Sequence, residues 1–568
     1  MPDSDNIPLM FQAQVDGRSQ IHKLEDLKKK AEKLGVSKED LHQQAYDWVE
    51  EWHTACDSKN VPKFGGNIQR KEFSFTWRMV TNSGQDGGVI RPVIGERGWA
   101  YFPGSSMKGA FRRACRFDQT LQLRYCGGQD KDGELHPGIL RFHGGYPQSD
   151  DWLDDSLVDM IHPQEDWQLN GGERKTAIQL SLYQPTLVFG ISSLLLLSEE
   201  EWGQIWKIWE AALGKGIGSR VSAGYGQINT HGLSNLLTIV LCGQGLSSKR
   251  IDGKEEFRPN GFKAALRGHT RRLFSGVTDN ATAEKLTQQL WGGFADQNGA
   301  IVGLLGVAFS APNLDFELYH SGKYRMPLYD TGEALLNILL LNNKLSKQVF
   351  KKERQLSEQD CKNIKIFIIQ LVKFSILMGG FGKSWRRIDH RLFFPNYLNN
   401  KPMIGSHWEL MEESHKRYVV TVNQLADITT FLNGLQQKVA RFPLLQEIKG
   451  NKPQGSLREA WQKGNVEVWG RIAEKKNDSV AIRWFHEPYS FGQSIQRSEL
   501  TGKMGEIGRI WHRMYPRYRK EGEELIDRGE YVELLTIFPN RSGKEEEVEK
   551  TVNFLKFLKD SSDFIQLW

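Results

Sequence analysis

The sequence repeats itself, and that repeat limits the fold more than any other feature. Gly261-Phe-Lys-Ala-Ala-Leu-Arg-Gly-His-Thr-Arg-Arg272 matches Ser106-Met-Lys-Gly-Ala-Phe-Arg-Arg113, placing Lys263 on Lys108 and Arg267 on Arg112 at an offset of 155 residues. Trp291-Gly-Gly293 falls on Cys126-Gly-Gly128 at an offset of 165, and Gly380-Phe-Gly-Lys-Ser384 on Gly216-Ile-Gly-Ser-Arg220 at 164. Three landmarks in one order at nearly one spacing argue for two tandem copies of one domain, over 65–235 and 236–400. An N-terminal helical arm (1–64) and a C-terminal α+β extension (401–568) flank them.

The first copy reads strand, glycine-rich loop, basic helix, strand, strand, helix, glycine loop. The strand is Phe73 to Val80, alternating and aromatic, and the loop is Asn82 to Gly88. A Pro-Gly-Ser-Ser turn from Pro103 opens the basic helix. Strands follow at Gly138–Phe142 and Leu187–Ile191, then a helix at Glu199–Leu213. Its Trp202, Trp206 and Trp209 share one face at helical spacing, which marks core packing rather than base stacking. The second copy supplies a strand at Leu335–Leu341 and a helix at Asp360–Met378. This order predicts an α+β fold of two ferredoxin-like (RRM-like, βαββαβ) domains, each an antiparallel sheet with two helices on one face. Residues 18–55 read as helix. In the extension, strands are expected at Val466–Gly470, Val480–Trp484 and Tyr531–Phe538, with helices around Ile507–Tyr515 and at Glu545–Leu558.

Composition excludes several classes. Five cysteines without a CxxC pair, and no zinc spacing among 14 histidines, leave no disulfide scaffold or structural zinc. Leu187 to Leu197, the longest apolar stretch, is too short to span a bilayer, and the N-terminus does not read as a signal peptide. A cytoplasmic protein is expected. The net charge of +6 is modest, but 56 glycines in 568 residues are many. They are needed at particular backbone positions.

One such place is Gly214 to Gly226, with five glycines in thirteen residues. They let the chain approach a ligand and present N–H groups, while Lys215, Ser219, Arg220 and Ser222 add phosphate-seeking side chains. The loop lacks P-loop spacing and follows a helix, the wrong context for dinucleotide binding. Its echo in copy two carries Lys383, Arg386 and Arg387. The two basic helices present Lys108, Arg112 and Arg113, and Lys263, Arg267 and Arg271, each on one face. Each opens on small or amide residues (Ser105 and Ser106; Asn260), where free N–H groups attract anions. Two anion-seeking sites per copy, in tandem, suit the backbone of single-stranded RNA.

The helix start Phe102-Pro-Gly-Ser-Ser-Met-Lys-Gly-Ala-Phe-Arg112 and the loop Gly216-Ile-Gly-Ser-Arg-Val-Ser-Ala-Gly-Tyr-Gly226 resemble the RAMP (repeat-associated mysterious protein) superfamily. In particular they resemble the backbone subunits of type III CRISPR effector complexes. The resemblance covers about 70–400 and is stronger in copy one. A chain with two copies resembles the fused double-backbone subunits of III-D-like systems. The resemblance implies binding of crRNA and of target single-stranded RNA beside other backbone and large subunits, with no membrane partner. It also implies a thumb hairpin that kinks the guide–target duplex. Gly171 to Gln179, with Arg174 and Lys175, resembles the thumb, and Leu318–Pro327 is its counterpart in copy two. A loop aspartate before the basic helix serves target cleavage in the family, and Asp86 holds that position. Such a carboxylate could hold a divalent metal ion (Mg or Mn) or position the 2′-hydroxyl for attack. Asp252 is the nearest candidate in copy two, although it stands closer to the helix.

The expected function is therefore a crRNA-binding backbone subunit that also acts as a metal-dependent endoribonuclease on target RNA. Two alternatives remain from sequence: a purely structural RNA-binding subunit, and a repeat-RNA processing endoribonuclease using a histidine such as His136 or His143.

Overall fold

The computed structural model describes residues 47–568 except 48, 83, 87–88, 116–117, 131, 154–157, 162–176, 229–234, 250–253, 295–299, 322–323, 382–405, 412, 454–456 and 503–506. The described residues form two compact units. One contains those up to residue 228, with Lys249 and Lys254; the other runs from Asn235 to Trp568. Of the helix expected over 18–55, residues up to 46 lie outside the described set, and 49–55 are helical. Val49, Trp52 and Cys56 of that segment are buried with Trp99 and Trp152.

The first unit contains nine strands relevant here: β1 (Gln69–Ser74), β2 (Arg78–Met79), β3 (Gly84–Asp86), β4 (Val89–Arg91), β5 (Leu140–Pro147), β6 (Val158–Ile161), β7 (Ala177–Leu180), β8 (Leu182–Tyr183) and β9 (Thr186–Ser193). Its helices are α1 (Gly104–Ala114), α2 (Gln119–Cys126) and α3 (Glu199–Leu213). The main sheet is antiparallel in the order β1-β9-β5. A bridge between Phe75 and Ile228 adds a fourth chain segment: the Phe75 amide donates to Pro185, and the Thr76 amide, facing the other edge, donates to Gln227. The strand expected over Phe73–Val80 is split in two. Its partner breaks at Gln184, which is left-handed (φ 44°), and at Pro185, so β1 pairs with β9 but β2 with β8.

Helix α1 buries Met107, Ala110 and Phe111; α3 buries Ile205, Trp206, Trp209, Ala212 and Leu213. Both faces join Leu187, Phe189 and Ile191 of β9 in one core. Trp206 and Trp209 are core residues and Trp202 packs partly buried against them, as helical spacing indicates. A second sheet has the order β3-β4-β7-β6, in which β4 runs parallel to β7 with Val89 opposite Ile178.

The second unit begins with β10 (Asn235–Leu246), α4 (Asn260–Ser275), α5 (Asn280–Trp291), β11 (Leu305–Ser310), β12 (Asp315–Ser321), β13 (Tyr324–Asp330), β14 (Ala334–Leu340), α6 (Glu358–Met378) and β15 (Ser406–Leu410). β15 pairs with β10, β10 with β14, and β14 with β11. Within each unit the first strand thus lies between the fourth and third segments, and the second strand flanks the third. The β12–β13 hairpin, with Leu318 opposite Pro327, is inserted between β11 and β14.

One landmark seen in the sequence has the same geometry in both units. α2 ends at Cys126 and α5 at Trp291, and the next glycine has positive φ in both (Gly127 72°, Gly292 84°). A Cβ on Gly138 would stand 2.4 Å from the Cys126 carbonyl carbon and 2.5 Å from the Gly127 amide. One on Gly303, again 165 residues on, would meet the Trp291 carbonyl carbon at 2.5 Å and the Gly292 amide at 2.3 Å. The same backbone crossing requires glycine in both units.

Residues 406–568 belong to the same compact unit. They add α7 (Ala426–Ala440), β16 (Glu467–Ala473), β17 (Ile510–Glu521), β18 (Glu524–Ile537), α8 (Glu545–Ser561) and β19 (Ile565–Gln566), the strands forming a sheet in the order β17-β18-β16-β19. Leu432, Val439, Trp461, Trp511 and Tyr515 share one core with Ile239, Leu241 and Leu336 of the unit's first sheet.

Two expectations fail in this region. Ile507–Tyr515 is not helix, because Ile510 to Tyr518 lie in β17 and are buried throughout. Burial on both faces erases the alternation that identifies a strand. Pro516 falls where the β17–β18 register shifts, a place that does not need its missing N–H. Val480–Trp484 is not strand, because Ala481–Trp484 is a short helix. The buried Glu533 carboxylate accepts from the Val480 and Ala481 amides and so caps its start.

His407 of β15 is buried, with Nε2 2.6 Å from Glu409 Oε1 and Nδ1 3.5 Å from Arg513 Nη1. Arg513 can only donate, so the ring is neutral with its hydrogen on Nε2. Burial pushes the His407 pKa down to about 4, against the hydrogen bond with Glu409. The unfolded histidine takes up its proton first as pH falls. This group's contribution is therefore full above about pH 6.5 and is lost on descending to about 4, with a limit on the order of 3 kcal/mol. Urea unfolding at pH 7 and pH 4.5 should show a loss that His407→Gln reduces; an unchanged pH dependence in that variant would exclude the assignment.

Candidate nucleic-acid interface

The first unit brings α1 and the 214–226 loop together around one cleft. Its volume is about 290 Å³, and its walls include Thr81, Asn82, Phe102, Ser106, Arg113 and Ser219. Ser106 and Arg113 lie seven residues apart, two turns along one side of α1. Ser105, Lys108 and Arg112 occupy the adjacent exposed strip. Lys108, Arg112 and Arg113 have no carboxylate partner among the described residues. Burial pushes the nearby Cys126 thiol up to about 11 against the pull of Lys108 and Arg112.

The start of α1 is open. Pro103 provides no side-chain cap, the Gly104 amide donates to Tyr101 Oη at 3.2 Å, and the Met107 amide donates to the Pro103 carbonyl. The Ser105 and Ser106 amides have no acceptor among the described residues. Exposed amides at the start of an eleven-residue helix, with cations beyond them, attract an anion.

The glycine loop differs from its expected role. Most of its amides are used internally: Ile217 donates to Gly226, Ser219 to Val80, Ala223 to Arg220, Gly224 to Val221 and Gly226 to Arg78. Its glycines serve close packing. Gly226 has φ 62°, and a Cβ there would stand 1.9 Å from the Ile217 oxygen. Arg220 is also left-handed at φ 59°. Tyr225, buried against Trp77 with ring centroids 4.5 Å apart, anchors the loop. It therefore offers a fixed rim, with Ser219 on the cleft and Arg220 exposed. Lys215 and Ser222 are half-buried and engaged in other interactions.

Asp86 closes β3, paired with Val89 across the β3–β4 hairpin. Only its backbone is described. Through β4 the hairpin shares a sheet with β7, which holds the last residues (177–179) of the segment that resembles the thumb, and with β6, which precedes that segment. Arg174 and Lys175 lie outside the described residues, as do Asp252, Lys383, Arg386 and Arg387.

The basic residues expected to match these in the second unit are arranged differently. Arg267 Nη2 is 2.8 Å from Glu284 Oε1 and Arg271 Nη1 is 2.7 Å from Glu284 Oε2. Lys263 and Asn260 are half-buried, and Lys263 has interactions of its own. The first-turn amides of α4 are also engaged, Gly261 with Arg258 and Phe262 with Pro259.

Sequence reading missed Thr81 and Asn82, which complete the cleft between the two elements it did identify. The available signal was Asn82 opening the Gly-rich loop. His136 and His143 have local roles: His136 Nε2 is 2.6 Å from Asp130, and His143 Nε2 is 2.8 Å from Ser192 Oγ. Asp130, Glu134 and His136 are the group of possible metal donors found among the described residues, with ligand atoms within 4.8 Å of one another. Asp130 also accepts from the Asp132 and Glu134 amides, which closes the turn. No helix among the described residues is long and apolar enough to cross a membrane.

No family model and no curated protein matches the chain. Solved structures do. A chain of the cryo-EM structure of the Type III-B Cmr-beta bound to cognate target RNA is 18% identical, over 40% of this chain and 81% of that one, with a TM-score of 0.25. A chain of a Type IV-B CRISPR complex is 16% identical, over 30% of this chain and 94% of that one, with a TM-score of 0.21. The crystal structure of Cmr6 from Pyrococcus furiosus is 13% identical, over 30% of this chain and 100% of that one, with a TM-score of 0.20.

Proposed function

We propose that this chain is a guide-RNA-binding backbone subunit of a cytoplasmic, type III-like CRISPR ribonucleoprotein, built from two ferredoxin-like copies of a RAMP domain. The observation that carries this reading is the first unit's cleft. Arg113, Ser106 and Ser219 line it beside the open amides of α1, the uncompensated Lys108 and Arg112 stand on the adjacent strip, and no carboxylate lines the cleft among the described residues. Such a surface holds phosphates by charge and hydrogen bonds without selecting a base. The matching strand order of the two units supports the two-copy reading.

Target cleavage through Asp86 belongs to the same proposal. Its hairpin shares a sheet with the strand that carries the end of the thumb-like segment and with the strand before it, where a kinked duplex would be held. A single carboxylate suits a magnesium or manganese ion completed by substrate phosphate and water. That ion would be held by Asp86 and would stabilise charge on the scissile phosphate. The chain's own part is to position the RNA through α1 and the loop rim.

Replacing Lys108, Arg112 and Arg113 together by alanine tests the binding reading. These side chains are exposed and without carboxylate partners among the described residues, so the fold should persist. Titration of a labelled single-stranded RNA should show affinity reduced at least about tenfold. The dependence of log K on log salt should be shallower by about 2, the equivalent of three lost phosphate contacts. An unchanged salt slope would refute the assignment.

A further inference from the structure

The two copies share their architecture but not their charge balance. In the first, Lys108 and Arg112 have no carboxylate partner among the described residues. In the second, Glu284 of α5 holds both Arg267 and Arg271, one on each oxygen, at 2.8 and 2.7 Å. Gln288 Nε2 donates to the same carboxylate at 3.0 Å, fixing its rotamer from the next turn. The two arginines are 15% and 13% exposed, so the clamp is largely shielded from water, where charge pairs are stronger. Counting back from the shared helix end, the residue of α2 that corresponds to Glu284 is Gln119, which has no charge.

We propose that Glu284 silences the second copy as an RNA-binding site by neutralising the cations of α4, of which Arg267 corresponds to the exposed and carboxylate-free Arg112 of the first. A carboxylate ion-paired with two guanidinium groups mimics a bound phosphate in charge. The engaged first-turn amides of α4 close the other half of the site. The chain would then bind single-stranded RNA through one copy, and the second would serve assembly or spacing. This inference rests on the reading of the first copy as a phosphate-binding surface.

The test uses the full chain and a fluorescein-labelled oligouridylate of about 20 nucleotides. Glu284→Gln should leave both arginines with the uncharged acceptors Gly292 O and Asn280 Oδ1 beside them, raising affinity about tenfold and steepening the salt slope by about 1.4. Adding Arg267→Ala and Arg271→Ala to that variant should return both quantities to native values. In the native background, Arg267→Ala with Arg271→Ala should leave RNA binding unchanged, because those side chains are already engaged. This last measurement remains decisive if the Glu284 variant folds poorly. If Lys108, Arg112 and Arg113 prove dispensable for binding, the underlying reading fails and the inference falls with it. If they are required but Glu284→Gln does not strengthen binding, or the native-background arginine variant loses binding, only the inference is overturned.

Discussion

Glu533→Ala is expected to destabilise the second unit by about 3–5 kcal/mol, the usual cost of removing one partner from a buried ion pair. Glu533 is fully buried, and its carboxylate accepts from Arg471 Nε at 2.7 Å and contacts His512 Nε2 at 3.1 Å. Ser479 Oγ and the Val480 and Ala481 amides also donate to it. Burial alone would raise its pKa, but His512, Ser479 and Arg471 more than offset that, and the carboxyl stays below the usual range. Alanine would leave the buried Arg471 with Asp478 as its carboxylate partner and remove the acceptor that starts the 481–484 helix. Urea unfolding should show the full loss. Glu533→Gln, which keeps the shape and one acceptor, should lose less. By contrast, removing Arg528 from its exposed pair with Glu521 should change stability by less than about 1 kcal/mol. If Glu533→Ala unfolds within that margin, the network is not a keystone of the sheet.

Asp86→Ala is expected to reduce target cleavage by at least about 100-fold in the assembled ribonucleoprotein, with guide and target binding retained. The variant should fold, because Asp86 ends a short hairpin strand whose ladder is made by backbone groups. Asp252→Ala should leave the number and position of cuts unchanged. Cleavage of a labelled complementary RNA with magnesium present would check both. Full cutting by Asp86→Ala would assign the reaction elsewhere and leave the chain with the structural role alone.

Local signals in the sequence identify many of the elements observed. α3 announces itself by Ser198 as a cap and tryptophans at helical spacing, and α1 by a Pro-Gly-Ser-Ser turn before one basic face. The Cys126-Gly-Gly and Trp291-Gly-Gly landmarks were legible because the glycine after each helix, Gly127 and Gly292, takes a positive φ that disfavours other residues. What stayed hidden depended on distant partners. β17 carries buried arginines and a histidine whose polar groups are met by other strands and loops, so its pattern resembles no simple strand. The 480–484 helix owes its start to a carboxylate some fifty residues later. The glycine loop advertised phosphate binding, but its amides had already been claimed by Val80, Arg78 and the loop itself. Arg267 and Arg271 looked equivalent to the first copy's cations until α5 placed Glu284 between them.

The pairing of Ser406–Leu410 with Leu241–Gly245 bears on how the chain can be divided. A fragment ending at residue 400 would keep both sequence repeats yet lose the last strand of the second sheet. The bare margin would present a row of unpaired N–H and C=O groups, and Trp408 would no longer fill the space beside Gly243. Such a margin recruits a strand from any neighbour, so the fragment would tend to precipitate or to exchange strands between molecules. The smallest dissectable second piece is thus set by this returning strand rather than by the end of the visible repeat.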